Sequence, residues 1–235
     1  MSPARFENPI YVAIDTPDME RALDLVRAVT PHVGGLKVGL EFISAHGPGG
    51  IRVIAAMGLP VFADVKFHDI PNTVAGAARE IAKTGATIFN VHASGGEAML
   101  RAAVEAARGV NPDIRTIAVT VLTSLDDAAL DAVGQRGPAA DQVVRLASLA
   151  KHCGLDGVVC SAHEIAAIRK ECGDDFTLVV PGIRPAGSDL ADQRRVMTPR
   201  QAADAGADIL VIGRPINAAA DPAAAARTIK ESLHG

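Results

Sequence analysis

Apolar residues along this chain come in short runs separated by longer amphipathic stretches. Ile10–Ile14, Gly35–Val38, Val61–Val65, Thr87–Val91, Ile114–Val121, Gly157–Cys160, Thr177–Val180 and Ile209–Ile212 read as strands. The segments that follow them carry helical periodicity, as in Met19–Val29, Val74–Lys83, Glu97–Arg108 and Asp141–His152. The strand runs are apolar almost throughout, as expected of parallel strands covered on both faces. Eight β-then-α units over 235 residues predict a single-domain (β/α)8 barrel, a TIM barrel, spanning residues 1–235. A doubly wound open sheet is the alternative with the same alternation. Nothing resembling a linker or low-complexity tract divides the chain, and the βα unit is its one repeat.

Two connections are longer than the others. One runs from Pro181 to Met197 and the other from Thr123 to about Gly137. Loops of this length in a compact domain are functional or irregular surface segments.

Composition narrows the class. Hydrophobic residues make up 49%, aromatics only 3%, and Trp is absent, so the core must be packed with Ala, Val, Ile and Leu. A net charge of −4 without a Lys/Arg run argues against a nucleic-acid binder. An anionic ligand would need a local basic pocket. Three cysteines, Cys153, Cys160 and Cys172, show no metal-ligand spacing and fit a reducing, cytoplasmic setting. The N-terminal residues lack the apolar core of a signal peptide. No apolar run reaches the roughly 20 residues that span a bilayer, so no membrane association is expected.

In a barrel of this kind the chemistry gathers where strands end and βα loops begin. The polar residues at those positions are Asp15, Lys37, Asp64, Lys66, Asn90, His92, Thr120, Thr123, Ser161 and the Gly213-Arg214 pair, with Pro181 and Gly182 after the seventh strand. Regular strand alternation puts Asp64 and Lys66 on one side. Opposite charges in a barrel interior cost desolvation energy, so the pair is either a buried structural ion pair or a site that holds a cation against carboxylates. Lys37 interrupts an apolar strand. It either snorkels to the surface or joins Asp64, Lys66 and Asp69 in an alternating Lys–Asp–Lys–Asp array. Asp69 stands before Ile70-Pro71, which also suits a helix cap. Gly213-Arg214 opens a helix and offers amides and a guanidinium to a phosphate, or is an ordinary helix start.

The run Asp64-x-Lys66-x-x-Asp69-Ile70-Pro71-x-Thr73 resembles the active-site motif of the bacterial-type orotidine 5'-phosphate decarboxylases. A bare Asp-x-Lys-x-x-Asp is shared with related sugar-phosphate enzymes, and the Ile-Pro-Asn-Thr continuation makes the match specific. The likeness runs in order from Ile10 to Arg214.

The resemblance implies a carboxy-lyase that converts orotidine 5'-phosphate to UMP and CO2 in pyrimidine biosynthesis, with neither metal nor cofactor. It implies that Lys66 stabilises and then protonates the C6 carbanion, with Asp64 beside the substrate carboxylate. It implies a homodimer in which Asp69, Ile70 and Thr73 reach the partner's site. Asp15 and Lys37 match ribose-binding residues, and Thr123 matches a pyrimidine contact. Pro181, Arg184, Gln193, Gly213 and Arg214 match the phosphate end. Arg184 either touches phosphate or anchors its loop, and the loop holding Gln193 is expected to close over the ligand. A metal-dependent sugar-phosphate lyase and a non-enzymatic nucleotide-binding barrel are the competing readings. The first would need extra carboxylates, and Glu41 is the one obvious addition near the rim.

Overall fold

In a computed structural model of the chain, residues 6–185 and 197–233 are described. Eight parallel strands close in sequence order, β1 through β8 and back to β1. They are β1 Ile10–Ile14, β2 Gly35–Val38, β3 Val61–Phe67, β4 Ile88–His92, β5 Arg115–Val119, β6 Gly157–Val159, β7 Thr177–Val180 and β8 Ile209–Ile212. The open-sheet alternative is thereby excluded.

The main covering helices are α1 Met19–Val29, α2 Leu40–Ala55, α3 Pro71–Ala82 and α4 Gly96–Arg108. After β5 come α5 Asp127–Ala132 and α6 Ala139–His152, then α7 Ile165–Cys172, α8 Pro199–Asp204, α9 Arg214–Asn217 and α10 Pro222–Glu231. The stretch expected as a long loop from Thr123 to Gly137 thus contains a short helix. Asp126 starts it, its carboxylate accepting the Ala129 amide at 2.9 Å. Helix α3 begins three residues before its apolar periodicity does, because Pro71 presets a helical φ at the first position and needs no amide partner there.

Alternation along the strands builds two cores. Outward residues such as Ile10, Val12, Ile14, Leu36, Val38, Val61, Ala63, Phe89 and Val91 pack under the helices. Inward residues form a smaller cluster of Tyr11, Ala13, Phe62, Ile88, Ile117, Val179, Ile209 and Val211. Gly35 makes room within it, since a Cβ there would lie 2.5 Å from the Tyr11 ring. Two residues further along the same strands the inward positions turn polar: Asp15 after Ala13, Lys37 after Gly35, Asp64 after Phe62 and Asn90 after Ile88. The carboxyl ends of the strands therefore carry the charged rim.

Candidate active site

The four charged residues at this rim form one chain of contacts. Asp15 Oδ1 is 3.7 Å from Lys37 Nζ, Lys37 Nζ is 3.2 Å from Asp64 Oδ2, and Lys66 Nζ is 2.5 Å from Asp64 Oδ1. Gly39 opens the space between the first two, because a Cβ on it would stand 3.0 Å from Lys37 Nζ. Lys37 therefore neither snorkels nor stands alone. Two ammoniums and two carboxylates leave the array formally neutral. Asp64 is the shared centre and is only 9% exposed. Burial by itself would raise its carboxyl. Lys37, Lys66 and the hydrogen bonds from Lys66 and Asn90 outweigh that and hold it below the usual carboxylate value.

Lys66 reaches Asp64 by a route that regular alternation does not describe. Strands β3 and β4 pair at Ala63–Phe89 and again at Phe67–Val91, so β3 advances from 63 to 67 while β4 advances from 89 to 91. Lys66 lies inside this bulge with φ +54°, the one non-glycine among the described residues in the left-handed region. Asn90 repairs the ladder there. Its Oδ1 accepts the Lys66 backbone N–H at 2.7 Å, and its Nδ2 donates to Asp64 Oδ1 at 2.7 Å. Asn90 is fully buried. It was visible in the sequence as an amide inside an apolar strand, a poor strand former with no evident partner. His92 ends β4 half-buried and stacks at a tilt on His68, with ring centroids 5.5 Å apart. Burial foremost, then His68 and Lys66, hold its imidazole below the ordinary value.

Asp69 does not enter the array within one chain. Its Oδ1 accepts the Ile70 amide at 2.6 Å, and among the described residues it forms no ion pair with Lys37 or Lys66. The N-cap position of α3 belongs to Ile70, which gives no side-chain cap. His68 through Thr73 are all exposed, and Ile70 is 68% exposed.

The remaining candidates sit on the βα loops. Thr123 is exposed just beyond β5. Pro181 follows β7 directly, and Arg184 is buried with its backbone amide donating to the Met197 carbonyl at 3.1 Å. That bond ties together the two ends of the long connection. Gln193 lies outside the described residues. Gly213 is the N-cap of the four-residue α9, Arg214 is exposed, and Asn217 Nδ2 donates to the Ala13 carbonyl at 3.2 Å, holding this turn against β1. Gly213 also borders the array, since a Cβ there would be 3.6 Å from Asp15 Oδ2. Among the described residues no three His, Cys, Asp or Glu side chains converge as metal ligands, and no helix is long and apolar enough to cross a membrane. A cavity of about 630 Å³ opens at the opposite end of the barrel, lined by Tyr11, Gly34, Ile88 and Arg115 among others, and contains none of these candidates.

Chemically, the rim presents an ammonium fixed against a carboxylate, a second ammonium behind it, and a Gly-Arg turn bordering Asp15. Such an arrangement suits a small anionic ligand whose reacting carbon needs a cation nearby. Comparison with known proteins agrees. Residues 8–229 match the family described as orotidine 5'-phosphate decarboxylase / HUMPS family. Over 232 residues the chain is 53% identical to the orotidine 5'-phosphate decarboxylase of Paramagnetospirillum magneticum, covering 96% of this chain and 98% of that one. It is 56% identical over 224 residues to the corresponding protein of Anaeromyxobacter sp. strain K, covering 95% and 97%. The crystal structure of orotidine 5'-phosphate decarboxylase from Lactobacillus acidophilus superposes with a TM-score of 0.86 at 38% identity, over 97% of this chain and 100% of that one. With its barrel, its motif and these matches, the chain belongs to the orotidine 5'-phosphate decarboxylase / HUMPS family.

Proposed function

We propose that this protein decarboxylates orotidine 5'-phosphate to UMP and CO2 in pyrimidine biosynthesis. The observation that carries this reading is the contact of Lys66 with Asp64 at the barrel rim, 2.5 Å apart and backed by Lys37. The bond between C6 and the substrate carboxylate breaks, CO2 departs, and the electron pair remains on C6. A fixed ammonium stabilises that pair as it develops, and its charge needs no reorganisation at the moment of reaction. Lys66 then gives one proton to C6 and regains it from water. Asp64, beside the substrate carboxylate, adds repulsion that is relieved as CO2 leaves. The chain supplies all of these groups itself, and the reading invokes neither metal nor cofactor.

Around that centre, Asp15 and Lys37 bind the ribose hydroxyls and Thr123 contacts the pyrimidine. Pro181, Arg184, Gly213 and Arg214, together with Gln193, hold the phosphate end. Binding energy from the remote phosphate then orders the reacting end. The working unit is a homodimer. The exposed His68–Thr73 segment, with Asp69 away from its own array, supports a role for Asp69, Ile70 and Thr73 in the partner's site.

The test is the absorbance change of orotidine phosphate on turnover. Wild-type protein should decarboxylate it with or without EDTA, and Lys66→Ala should lose at least about 10²–10³-fold in kcat. Full turnover by Lys66→Ala, or loss of wild-type turnover in EDTA, would overturn the reading.

A further inference from the structure

Lys66 and Asp64 are only as well placed as the backbone between them, and that backbone is irregular. The bulge leaves the Lys66 amide without a partner on the β4 main chain, and φ +54° is a conformation that a lysine does not hold unaided. One side chain meets both needs. The Asn90 carboxamide accepts the Lys66 N–H and donates to the Asp64 oxygen that Lys66 Nζ also contacts. Its orientation is unambiguous, because a backbone N–H only donates and a carboxylate only accepts. The three groups close a ring that joins the Lys66 main chain, the Asn90 amide and the Asp64 carboxylate to the Lys66 ammonium. No other side chain of that length supplies both functions: Asp lacks the donor when ionised, Ser is too short to span both partners, and Ala supplies neither.

We propose that Asn90 is a positioning residue of this reaction, one carboxamide that fixes the Lys66 backbone and the Asp64 carboxylate together so that ammonium and carboxylate face the substrate as a unit. The inference rests on the decarboxylase reading and adds to it a residue that does not itself touch the reacting atoms.

Three variants test it. Asn90→Ala should lower kcat for orotidine phosphate about 10²-fold, the cost of roughly 1 Å of misplacement, while KM and UMP affinity stay near wild type. Asn90→Ser, which restores at most one of the two bonds, should not recover wild-type kcat. Asn90→Asp separates the two functions. Ionised, it accepts from Lys66 but sets a second anion against Asp64. Protonated, it donates to Asp64 again. Its kcat relative to wild type should therefore rise as pH falls. Taking the ratio to wild type cancels the titration of the groups that face this point from β1, β2, β3 and β4, namely Asp15, Lys37, Lys66, His68 and His92. A residue that only supported the fold would lower melting temperature and the active fraction without that pH signature. A second readout needs no turnover: the rate at which trinitrobenzenesulfonate modifies Lys66, followed by peptide mass spectrometry, should rise several-fold in Asn90→Ala. Wild-type kcat in folded Asn90→Ala, a pH-independent ratio for Asn90→Asp, or unchanged Lys66 modification in Asn90→Ala would each overturn the proposal. Wild-type protein inert toward orotidine phosphate would sink the decarboxylase reading instead, with the modification rates still deciding the clamp.

Discussion

Lys37 Nζ lies 3.2 Å from Asp64 Oδ2, while Lys66 Nζ contacts the other oxygen of the same carboxylate. Asp64 is therefore shared by two ammoniums that are themselves mostly shielded from water, with side-chain exposures of 12% for Lys37 and 28% for Lys66. Removing the central charge leaves both cations facing each other. Breaking a buried ion pair costs about 3–5 kcal/mol, and the residual exposure of Lys66 places Asp64→Asn near or below the low end of that range.

The same carboxylate sets a pH dependence. Its folded value is held below the usual one, so its contribution to stability is fully present above the unfolded carboxyl value of about 3.9 and is lost as pH falls through the lower folded value. The melting-temperature gap between wild type and Asp64→Asn should be constant near neutrality and narrow below about pH 4. A gap that stays constant through the acid range would show that Asp64 is not held as its surroundings indicate.

Asp69 forms no ion pair with Lys37 or Lys66 among the described residues, and its proposed role is in the partner's site. Hybrid dimers assembled from Lys66→Ala and Asp69→Ala subunits, purified through two different tags, should contain one native site each and turn over orotidine phosphate. The two parent homodimers should be nearly inactive. Inert hybrids would assign Asp69 to its own subunit.

Arg214 stands exposed at the mouth beside Gly213. A charge-assisted bond to phosphate is worth about 1.5–3 kcal/mol, so Arg214→Ala should raise KM for orotidine phosphate about 10- to 100-fold. Decarboxylation of phosphate-free orotidine should change far less. Equal losses on both substrates would remove Arg214 from the phosphate site.

Gly35 gives a prediction about the barrel floor. A methyl group there meets the Tyr11 ring at 2.5 Å, so the buried ring must shift toward the cavity it lines at that end of the barrel. Gly35→Ala should destabilise the fold by about 1–3 kcal/mol, read as a lower urea midpoint. An unchanged midpoint would mean that the inner layer repacks freely.

The strands were legible in the chain because parallel strands buried on both faces are written as nearly continuous apolar runs. β1, β2, β7 and β8 fall within the expected bounds, and the others differ by a few residues at their ends. Local chemistry that those runs do not encode was less visible: the proline start of α3, and the Asp126 cap that turns part of an expected loop into α5. The site was legible as a set of residue types, since a lysine or aspartate inside an apolar strand has few structural uses.

Periodicity and residue type are local properties, so the barrel and the identity of the charged residues at its rim could be read along the chain. Their arrangement belonged to the tertiary structure. Asp15, Lys37 and Asp64 meet because β1, β2 and β3 are laid side by side, and Lys66 joins them through a bulge that regular alternation does not foresee. Asn90 acquires its two partners only when β4 pairs with β3. Asp69, three residues beyond Lys66 in the motif, stays outside the array of its own chain. Hydrogen-bond partners and ion-pair distances depend on how strands come together, and no pattern along a single strand contains that information.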